Sequence, residues 1–357
     1  MIQVEKVLAA AIRQDAEDVI FTVGRPPMLR IHGELQALPT ETLRGEDTVG
    51  LMKSVTPERY QQELQEEGST DFAFEFEDRA RFRVAAFRQQ GNVCLVLRLI
   101  PSKLRSFREL GLGSHIQELL YRPRGLILVT GPTGCGKTTT LATLIDHINR
   151  TRKVHILTIE DPIEYRHPHR EAIVSHRAVG LDVPSFSVAL RRALREAPDV
   201  ILVGEMRDLE STRLALMASE TGHLVLSTVH TQSAQTTVER IVEEFPAGEQ
   251  SQIRIQLANS LLAVLTQTLV PRTEGGLVAC FEILLVTPAV RHLIRDNKTF
   301  RIDSAIQTGR ERGMQLLDDH LLQRYRQGVI SRTDVMTRCR YPEDVTKALQ
   351  AMETPAK

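Results

Sequence analysis

The first part of the chain shows the apolar spacing of a small mixed domain. Apolar residues at helical spacing over residues 4–12 predict an amphipathic helix. Alternating apolar and polar residues then predict strands at residues 18–23, 27–31, 71–76 and 81–87. Helices and strands that are mixed without a repeating strand-helix unit are typical of α+β domains. We therefore predict a small α+β domain over residues 1–100.

A connector rich in turn-forming residues follows, with the sequence PSKLRSFRELGLG. Pro101, Gly111 and Gly113 lie in it between apolar blocks, which is typical of a hinge or linker. We predict a linker over residues 101–113 and a second domain over residues 114–357.

Continuous apolar runs that alternate with helical patterns dominate the second domain. The runs GLILVT, VHILTI, VILV and HLVLST lie at residues 125–130, 154–159, 200–203 and 223–228. Because strands buried on both faces give unbroken apolar runs, this pattern predicts a mostly parallel sheet covered by helices. One such helix is predicted at residues 186–197, with an apolar stripe of Phe186, Leu190, Ala193, Leu194 and Ala197.

Beyond Thr231 the pattern predicts a largely helical region. It contains an apolar segment at residues 251–270, a strand-like stretch at residues 276–286 and several short helices. The predicted fold class is therefore α/β, with a small first domain and a larger second domain that ends in helices.

Charge and cysteine content disfavour several classes of site. Lysine plus arginine and aspartate plus glutamate both total 45, so the formal net charge is zero. The chain therefore lacks the positive charge that would favour binding to nucleic acid or to an anionic membrane. Aromatic residues make up 4% of the chain, which offers no stacking stripe for bases. The four cysteines form no CxxC pair, which disfavours zinc and disulfides. No signal-peptide pattern or long apolar run is visible, so we expect a cytoplasmic protein.

A phosphate-binding pattern follows the first apolar run of the second domain. In GPTGCGKTTT, Gly131, Gly136, Lys137 and Thr138 occupy the GxxxxGK[ST] positions between a predicted strand and a predicted helix. Glycines there let backbone N–H groups surround a β-phosphate, and the helix N-terminus adds its dipole. Lys137 is expected to neutralise the β- and γ-phosphates, and Thr138 to bind Mg²⁺. The loop predicted to hold ATP comprises Gly131, Pro132, Thr133, Gly134, Cys135, Gly136, Lys137, Thr138 and Thr139.

Acidic residues after two later apolar runs are candidates for activating water. EDPIEY follows VHILTI and contains Glu160 and Glu164, whereas GEMRD follows VILV and contains Glu205 and Asp208. Doubly wound sheets place their chemistry at this carboxyl edge. Gly204 stands where many P-loop enzymes carry an aspartate, so Glu205 is predicted to order metal and water. Asp208 directly precedes a helical pattern and is more simply explained as its cap.

Polar residues lie at the carboxyl end of the run HLVLST, and His230 there is a candidate sensor of the γ-phosphate. An isolated histidine is more often structural, so His223 at the other end of this run carries no functional prediction.

Four motifs in order make the chain resemble the secretion ATPases of the GspE/PilT family. GPTGCGKTTT resembles the family's Walker A motif, TIEDPIEY its aspartate box, DVILVGEMRD its atypical Walker B motif and TGHLVLSTVHTQSA its histidine box. Three further stretches resemble the type IV pilus retraction members of this family. They are GRPPMLRIHGEL in the first domain, AVRHLIRD at residues 289–296 and SAIQTG at residues 304–309.

This resemblance implies roles for individual residues. Glu164 would be the general base for the attacking water, and Glu205 would order metal and water. Arg81 and Arg83 of the ARFRV stretch would reach the nucleotide when the domains close. The first domain would be PAS-like and the second RecA-like, and six identical subunits would form a ring.

The function implied is an ATP-hydrolysing motor for pilus retraction and twitching motility. Such a motor acts in the cytoplasm, peripherally at the inner-membrane pilus machine. Its implied partners are an inner-membrane platform protein and a paralogous retraction ATPase, with no nucleic acid and no zinc.

Two alternatives stay open at this point. The first is an ATPase for pilus extension or type II secretion, although such proteins commonly carry a longer N-terminal region and a tetracysteine module. The second is an accessory retraction paralogue that acts as a ring adaptor, against which the intact carboxylates count. Two departures from the family pattern are Val290, His292 and Asp296 in the C-terminal motif, and Ala197 in place of a common aspartate.

Overall fold

The computed structural model describes residues 3–31, 33–77, 80–100 and 104–353, which divide into two compact units. The first unit contains the described part of residues 1–103 together with Pro162–Arg166, and the second contains the other described residues. Pro101 of the predicted linker lies outside the described residues. The linker limits and the PAS-like type of the first domain stay predictions.

An antiparallel sheet of six strands forms the first unit, in the order β3-β2-β1-β6-β5-β4. The strands are β1 Asp18–Phe21, β2 Met28–Ile31, β3 Glu34–Ala37, β4 Ser69–Phe76, β5 Ala80–Gln89 and β6 Asn92–Ile100. Three helices belong to the same unit: α1 Val4–Arg13, α2 Gly45–Val55 and α3 Glu58–Glu67. Phe82, Val84 and Ala86 of β5 alternate into the core, as a half-buried strand requires. The predicted helix and four strands are therefore present.

A sheet of seven strands forms the centre of the second unit, in the order β13-β12-β7-β11-β10-β8-β9. The strands are β7 Gly125–Thr130, β8 His155–Glu160, β9 Ile173–Ala178, β10 Val200–Val203, β11 Leu224–Val229, β12 Leu261–Pro271 and β13 Leu277–Leu285. Every neighbouring pair is parallel except β12 and β13. Because β7, β10 and β11 are buried at every position, apolar residues dominate their sequences, and the polar exceptions, Thr130, Ser227 and Thr228, lie near the carboxyl ends of β7 and β11.

Helices cover both faces of this sheet. Leu126 and Leu128 of β7 belong to one apolar cluster, and Ile127 and Val129 belong to another, as the alternation of a strand requires. The helices are α4 Phe107–Leu110, α5 Ser114–Leu119, α6 Lys137–Thr151, α7 Phe186–Ala193, α8 Leu209–Glu220, α9 Ala234–Glu243, α10 Gln250–Ser260, α11 Pro288–Arg295, α12 Ile302–Thr308, α13 Leu317–Arg326, α14 Arg332–Arg338 and α15 Pro342–Glu353. Short 3₁₀ helices lie at Thr299–Arg301 and Arg310–Arg312.

Two details of the second unit differ from expectation. The apolar segment at residues 251–270 divides into helix α10 and strand β12, because its second half is buried between β7 and β13. The helix predicted to reach residue 197 ends at Ala193. Ala197 is exposed with φ of 50°, and the following Pro198 disfavours the helical conformation at that position.

Length and hydropathy of the helices also bear on membrane insertion. Over the described ranges, no helix combines the length and apolar content needed to span a bilayer.

Candidate active site

The loop between β7 and α6 has the backbone of a phosphate-binding loop. Gly134 and Gly136 have φ of 77° and 86°, in the left-handed region that favours glycine. A Cβ atom on Gly131 would lie 2.3 Å from the carbonyl oxygen of Gln267 and 2.6 Å from Sγ of Cys135. The glycines are thus required by backbone shape and by close packing. The loop leads into the N-terminus of a 15-residue helix, where free N–H groups favour an anion.

Lys137 is the first residue of α6, and its side chain is buried. Nζ donates hydrogen bonds to the carbonyl oxygens of Gly131 and Pro132, both at 2.9 Å. Burial lowers the pKa of Lys137, whereas the charges of Cys135 and Glu205 act in the opposite direction. Glu205 and Lys137 therefore lie within electrostatic range of one another.

The neighbours of Lys137 in the loop differ in exposure. Thr138 and Thr139 are half-buried, whereas Pro132, Thr133 and Gly134 are exposed. Burial raises the pKa of the Cys135 thiol despite the nearby charge of Lys137. A protonated, buried thiol is unreactive, so Cys135 is a packing residue of the loop.

Gln267 of β12, to which the sequence assigned no role, hydrogen-bonds to the phosphate loop and to the helix that follows it. Gln267 of β12 is buried, its Oε1 accepts a hydrogen bond from Thr140 Oγ1 at 2.6 Å, and its Nε2 donates to the carbonyl oxygen of Cys135 at 2.7 Å. Beside it, the hydroxyls of Thr130 and Thr266 are 2.9 Å apart. The available signal was the polar TQT triplet within the apolar run LLAVLTQTLV.

Gly204 and Glu205 follow β10 at the carboxyl edge of the sheet. The backbone N–H of Gly204 donates to Ile159 at 2.8 Å. A Cβ atom on Gly204 would lie 3.3 Å from the oxygen of Ile159 and 3.4 Å from Cα of Glu160. An aspartate would need these backbone atoms to shift by a few tenths of an ångström, so the packing favours glycine here and leaves the carboxylate to Glu205.

The Glu205 carboxylate is largely buried and has two basic neighbours. Its side chain is 14% exposed, with Arg207 Nη2 at 2.5 Å and His230 Nε2 at 3.6 Å. Thr228 of β11 donates from Oγ1 to the carbonyl oxygen of Gly204 at 2.8 Å, which ties the end of β11 to this turn. The histidine-box end of β11 and the acidic turn after β10 therefore form one polar edge.

Two other polar residues of the second unit are structural. The carboxylate of Asp208 accepts hydrogen bonds from the N–H and the hydroxyl of Ser211 at 2.9 and 2.8 Å, so Asp208 caps α8 as expected. Nδ1 of His223 lies 3.1 Å from the carbonyl oxygen of Ala218 at the end of the same helix.

The remaining predicted residues belong to the first unit. Glu164 lies in Pro162–Arg166, the segment grouped with that unit, in which Arg166 pairs with Glu75 at 2.7 Å. Arg81 of β5 is half-buried, and Arg83 is exposed. The second unit thus brings together the phosphate loop, Glu205 and His230, and the roles of Glu164 and the two arginines stay predictions.

Comparison with known proteins decides the family. The family of type II/IV secretion system proteins matches residues 2–341 of this chain. The chain belongs to this family. Within it, the chain is 46% identical over 341 residues to the type IV pilus retraction ATPase PilT of Pseudomonas aeruginosa, covering 96% of this chain and 99% of that relative. It is 38% identical over 333 residues to the type IV pilus ATPase PilU of the same organism, covering 93% and 87%.

A solved structure extends the similarity to three dimensions. The crystal structure of the pilus retraction motor PilT with bound ADP matches this secretion-family chain with a TM-score of 0.90 at 44% identity, covering 97% of this chain and all of that one. The predicted combination of an N-terminal domain with a RecA-like domain and C-terminal helices is confirmed by this match. As a member of the type II/IV secretion system family, the chain is an ATPase, as its Walker A motif predicted.

Proposed function

We propose that this ATPase is a hexameric motor that drives type IV pilus retraction and twitching motility. The observation that carries the proposal is similarity to the retraction ATPase PilT over 96% of the chain, with a TM-score of 0.90 to the structure of that motor. The 38% identity to PilU, against 46% to PilT, favours the retraction motor itself over an accessory paralogue.

The phosphate loop fits a nucleoside triphosphate with Mg²⁺. Two of its glycines have left-handed backbone, and Lys137 begins the helix that follows the loop, from where its ammonium would contact two phosphates. The hydroxyl of Thr138 and the carboxylate of Glu205 are oxygen donors, which Mg²⁺ prefers. When bound, Mg²⁺ would neutralise charge on the β- and γ-phosphates.

Water activation is assigned to two glutamates with different tasks. Glu205, which lies 3.6 Å from His230 and within electrostatic range of Lys137, would order the metal and the water. Glu164 accepts the proton of the attacking water, and its position on a segment grouped with the first unit would couple hydrolysis to domain movement. Arg81 and Arg83 stabilise the charge that develops on the phosphate, for which an arginine contributes about 10³- to 10⁵-fold in rate.

The motor is proposed to act as a ring of six copies at the cytoplasmic face of the inner membrane. Its partners there would be the platform protein of the pilus machine and a paralogous retraction ATPase. The zero net charge is compatible with recognition through local surfaces rather than through a global field.

Deletion of the gene followed by complementation tests the proposal. Cells without the gene should keep surface pili and lose retraction and twitching, and the wild-type chain should restore both. Lys137→Ala should fail to restore them, whereas the matched exposed-lysine variant Lys153→Ala should succeed. Loss of surface pili in the deletion would instead indicate an extension ATPase. Normal retraction in the deletion would overturn the proposal.

A further inference from the structure

His176 of β9 contacts the chain on both sides of Pro162–Arg166, the segment that carries Glu164 and is called the Glu164 loop below. Its Nε2 accepts a hydrogen bond from the backbone N–H of His167 at 3.1 Å, directly after this loop. Its Nδ1 lies 2.9 Å from Thr158 Oγ1 and 3.8 Å from Oε1 of Glu160, the last residue of β8 before the loop.

The register of the sheet produces this arrangement. β9 runs parallel to β8 at the edge of the sheet, and His176 is the partner of Thr158. β8 ends at Glu160, and the chain re-enters the second unit at His167. The imidazole of His176 therefore lies between the residues that precede and follow the Glu164 loop.

The hydrogen bonds define the tautomer of this imidazole. Because a backbone N–H can only donate, Nε2 of His176 must carry no proton, and the proton resides on Nδ1 towards Thr158 and Glu160. The ring of His167 stacks on the ring of His176 with centroids 5.9 Å apart and planes 11° apart. Burial lowers the pKa of His167 to about 4, so the stacked partner is neutral near pH 7.

We infer that His176 is a positioning residue that fixes both ends of the Glu164 loop and thereby sets the rate of hydrolysis. The inference rests on the proposed role of Glu164 as general base. Misplacement of a reacting group by about 1 Å can cost about 100-fold in rate. The nucleotide phosphates are held by a different loop, so His176 should affect kcat and leave ATP binding unchanged.

Steady-state kinetics of the purified protein test this role. His176→Leu should lower kcat for ATP about 10- to 100-fold at an unchanged KM. His176→Gln retains an amide oxygen that reaches the N–H of His167, and it should restore most of the rate. His155→Leu is the matched control, because His155 likewise joins β8 to β9, through Ser175 Oγ, but lies at the opposite end of β8 from Glu160.

Hydrogen exchange gives a readout that does not depend on turnover. The amide of His167 should exchange faster in His176→Leu than in the wild type, and His176→Gln should return it towards the wild-type rate. Wild-type exchange together with wild-type kcat in His176→Leu would overturn the inference. If His176→Leu does not fold, His176→Asn replaces it, because the shorter amide reaches Thr158 but not the backbone of His167.

Glu164→Ala separates this inference from the proposed function. Normal turnover by Glu164→Ala would remove the base and with it the kinetic effect expected of His176. Loss of turnover in Glu164→Ala combined with a wild-type kcat in His176→Leu would overturn the role of His176 alone.

Discussion

Gln267 on β12 donates a hydrogen bond to the carbonyl oxygen of Cys135, 132 residues earlier in the chain, at 2.7 Å. The same side chain accepts a hydrogen bond from Thr140 on the first turn of α6. One buried amide therefore joins the phosphate loop to the helix that follows it, and the shape of the loop depends on a strand far away in sequence.

Replacement of this amide should weaken nucleotide binding. In Gln267→Leu, the carbonyl oxygen of Cys135 and the hydroxyl of Thr140 lose their partners, at about 1–3 kcal/mol for each buried group. We expect the Kd for ADP to rise about tenfold, which corresponds to about 1.4 kcal/mol. Calorimetric titration measures this change. The control is Thr266→Val, which removes the neighbouring hydrogen bond to Thr130 without touching the loop. An unchanged Kd in Gln267→Leu would contradict a bracing role.

Lys137 and Glu164 should be separable by binding and turnover. Lys137→Ala should lose both ATP binding and hydrolysis, because the main positive charge at the phosphates is gone. Glu164→Ala should bind a nonhydrolysable ATP analogue normally and lose hydrolysis, because only proton transfer is affected. Fluorescence titration and phosphate release measure the two properties. Weak binding by Glu164→Ala would show that the residue contributes to the nucleotide site in another way.

Glu282 of β13 should make stability depend on pH. Its Oε1 accepts the N–H of Ala234 at 2.7 Å, and Arg340 Nη1 lies 3.6 Å from its Oε2. Burial nevertheless raises its pKa from 4.5 to about 7. A carboxyl with a raised folded-state pKa binds its proton more tightly in the folded protein, so its contribution to stability falls as pH rises from 4.5 to 7.

Glu282→Gln should remove the loss of folding stability that deprotonation of Glu282 causes. Relative to the wild type, the variant should gain about 3 kcal/mol in free energy of unfolding between the two ends of that pH range. Urea unfolding at several pH values measures the difference. Glu210→Gln, at an exposed ion pair with Arg191, is the control and should show no comparable trend. A difference that stays constant with pH would show that Glu282 does not titrate in this range.

Ala197 should be a site at which glycine stabilises the protein. Its φ of 50° is left-handed, which costs a residue with a Cβ about 1–2 kcal/mol. Glycine removes this strain, but its greater conformational freedom in the unfolded chain offsets about 0.4–1 kcal/mol of the gain. The free energy of unfolding of Ala197→Gly should therefore rise by about 0.5–1 kcal/mol. Chemical denaturation measures it. In the control Ala289→Gly, at an exposed position of the right-handed helix α11, the same change should destabilise.

The sequence predicted the parts of the fold in which local pattern and burial agree. Strands β7, β8, β10 and β11 are rich in apolar residues because both of their faces are covered. The edge strand β9 was not predicted, since Ser175, His176 and Arg177 interrupt its apolar pattern. β12 was not separated from α10, because an apolar run alone does not distinguish a buried strand from a buried helix.

In the candidate site too, residues with a local sequence signal were predicted, and residues whose partners are distant in sequence were not. The phosphate loop was predicted because its glycine and lysine spacing is local. Gln267 and His176 could not be assigned roles, because their partners depend on which strands are neighbours. The reason for glycine at position 204 lies in the backbone of β8, which no local pattern shows.

The position of β12 beside β7 also has a consequence for synthesis on the ribosome. A nascent chain that has emerged only through β11 already contains the phosphate loop, but β7 lacks one of its two neighbours and Cys135 lacks its amide donor. Translation must continue past Pro271 before the sheet can close on that side. Nucleotide capture by the emerging polypeptide would therefore come late, after roughly three quarters of the chain has been made.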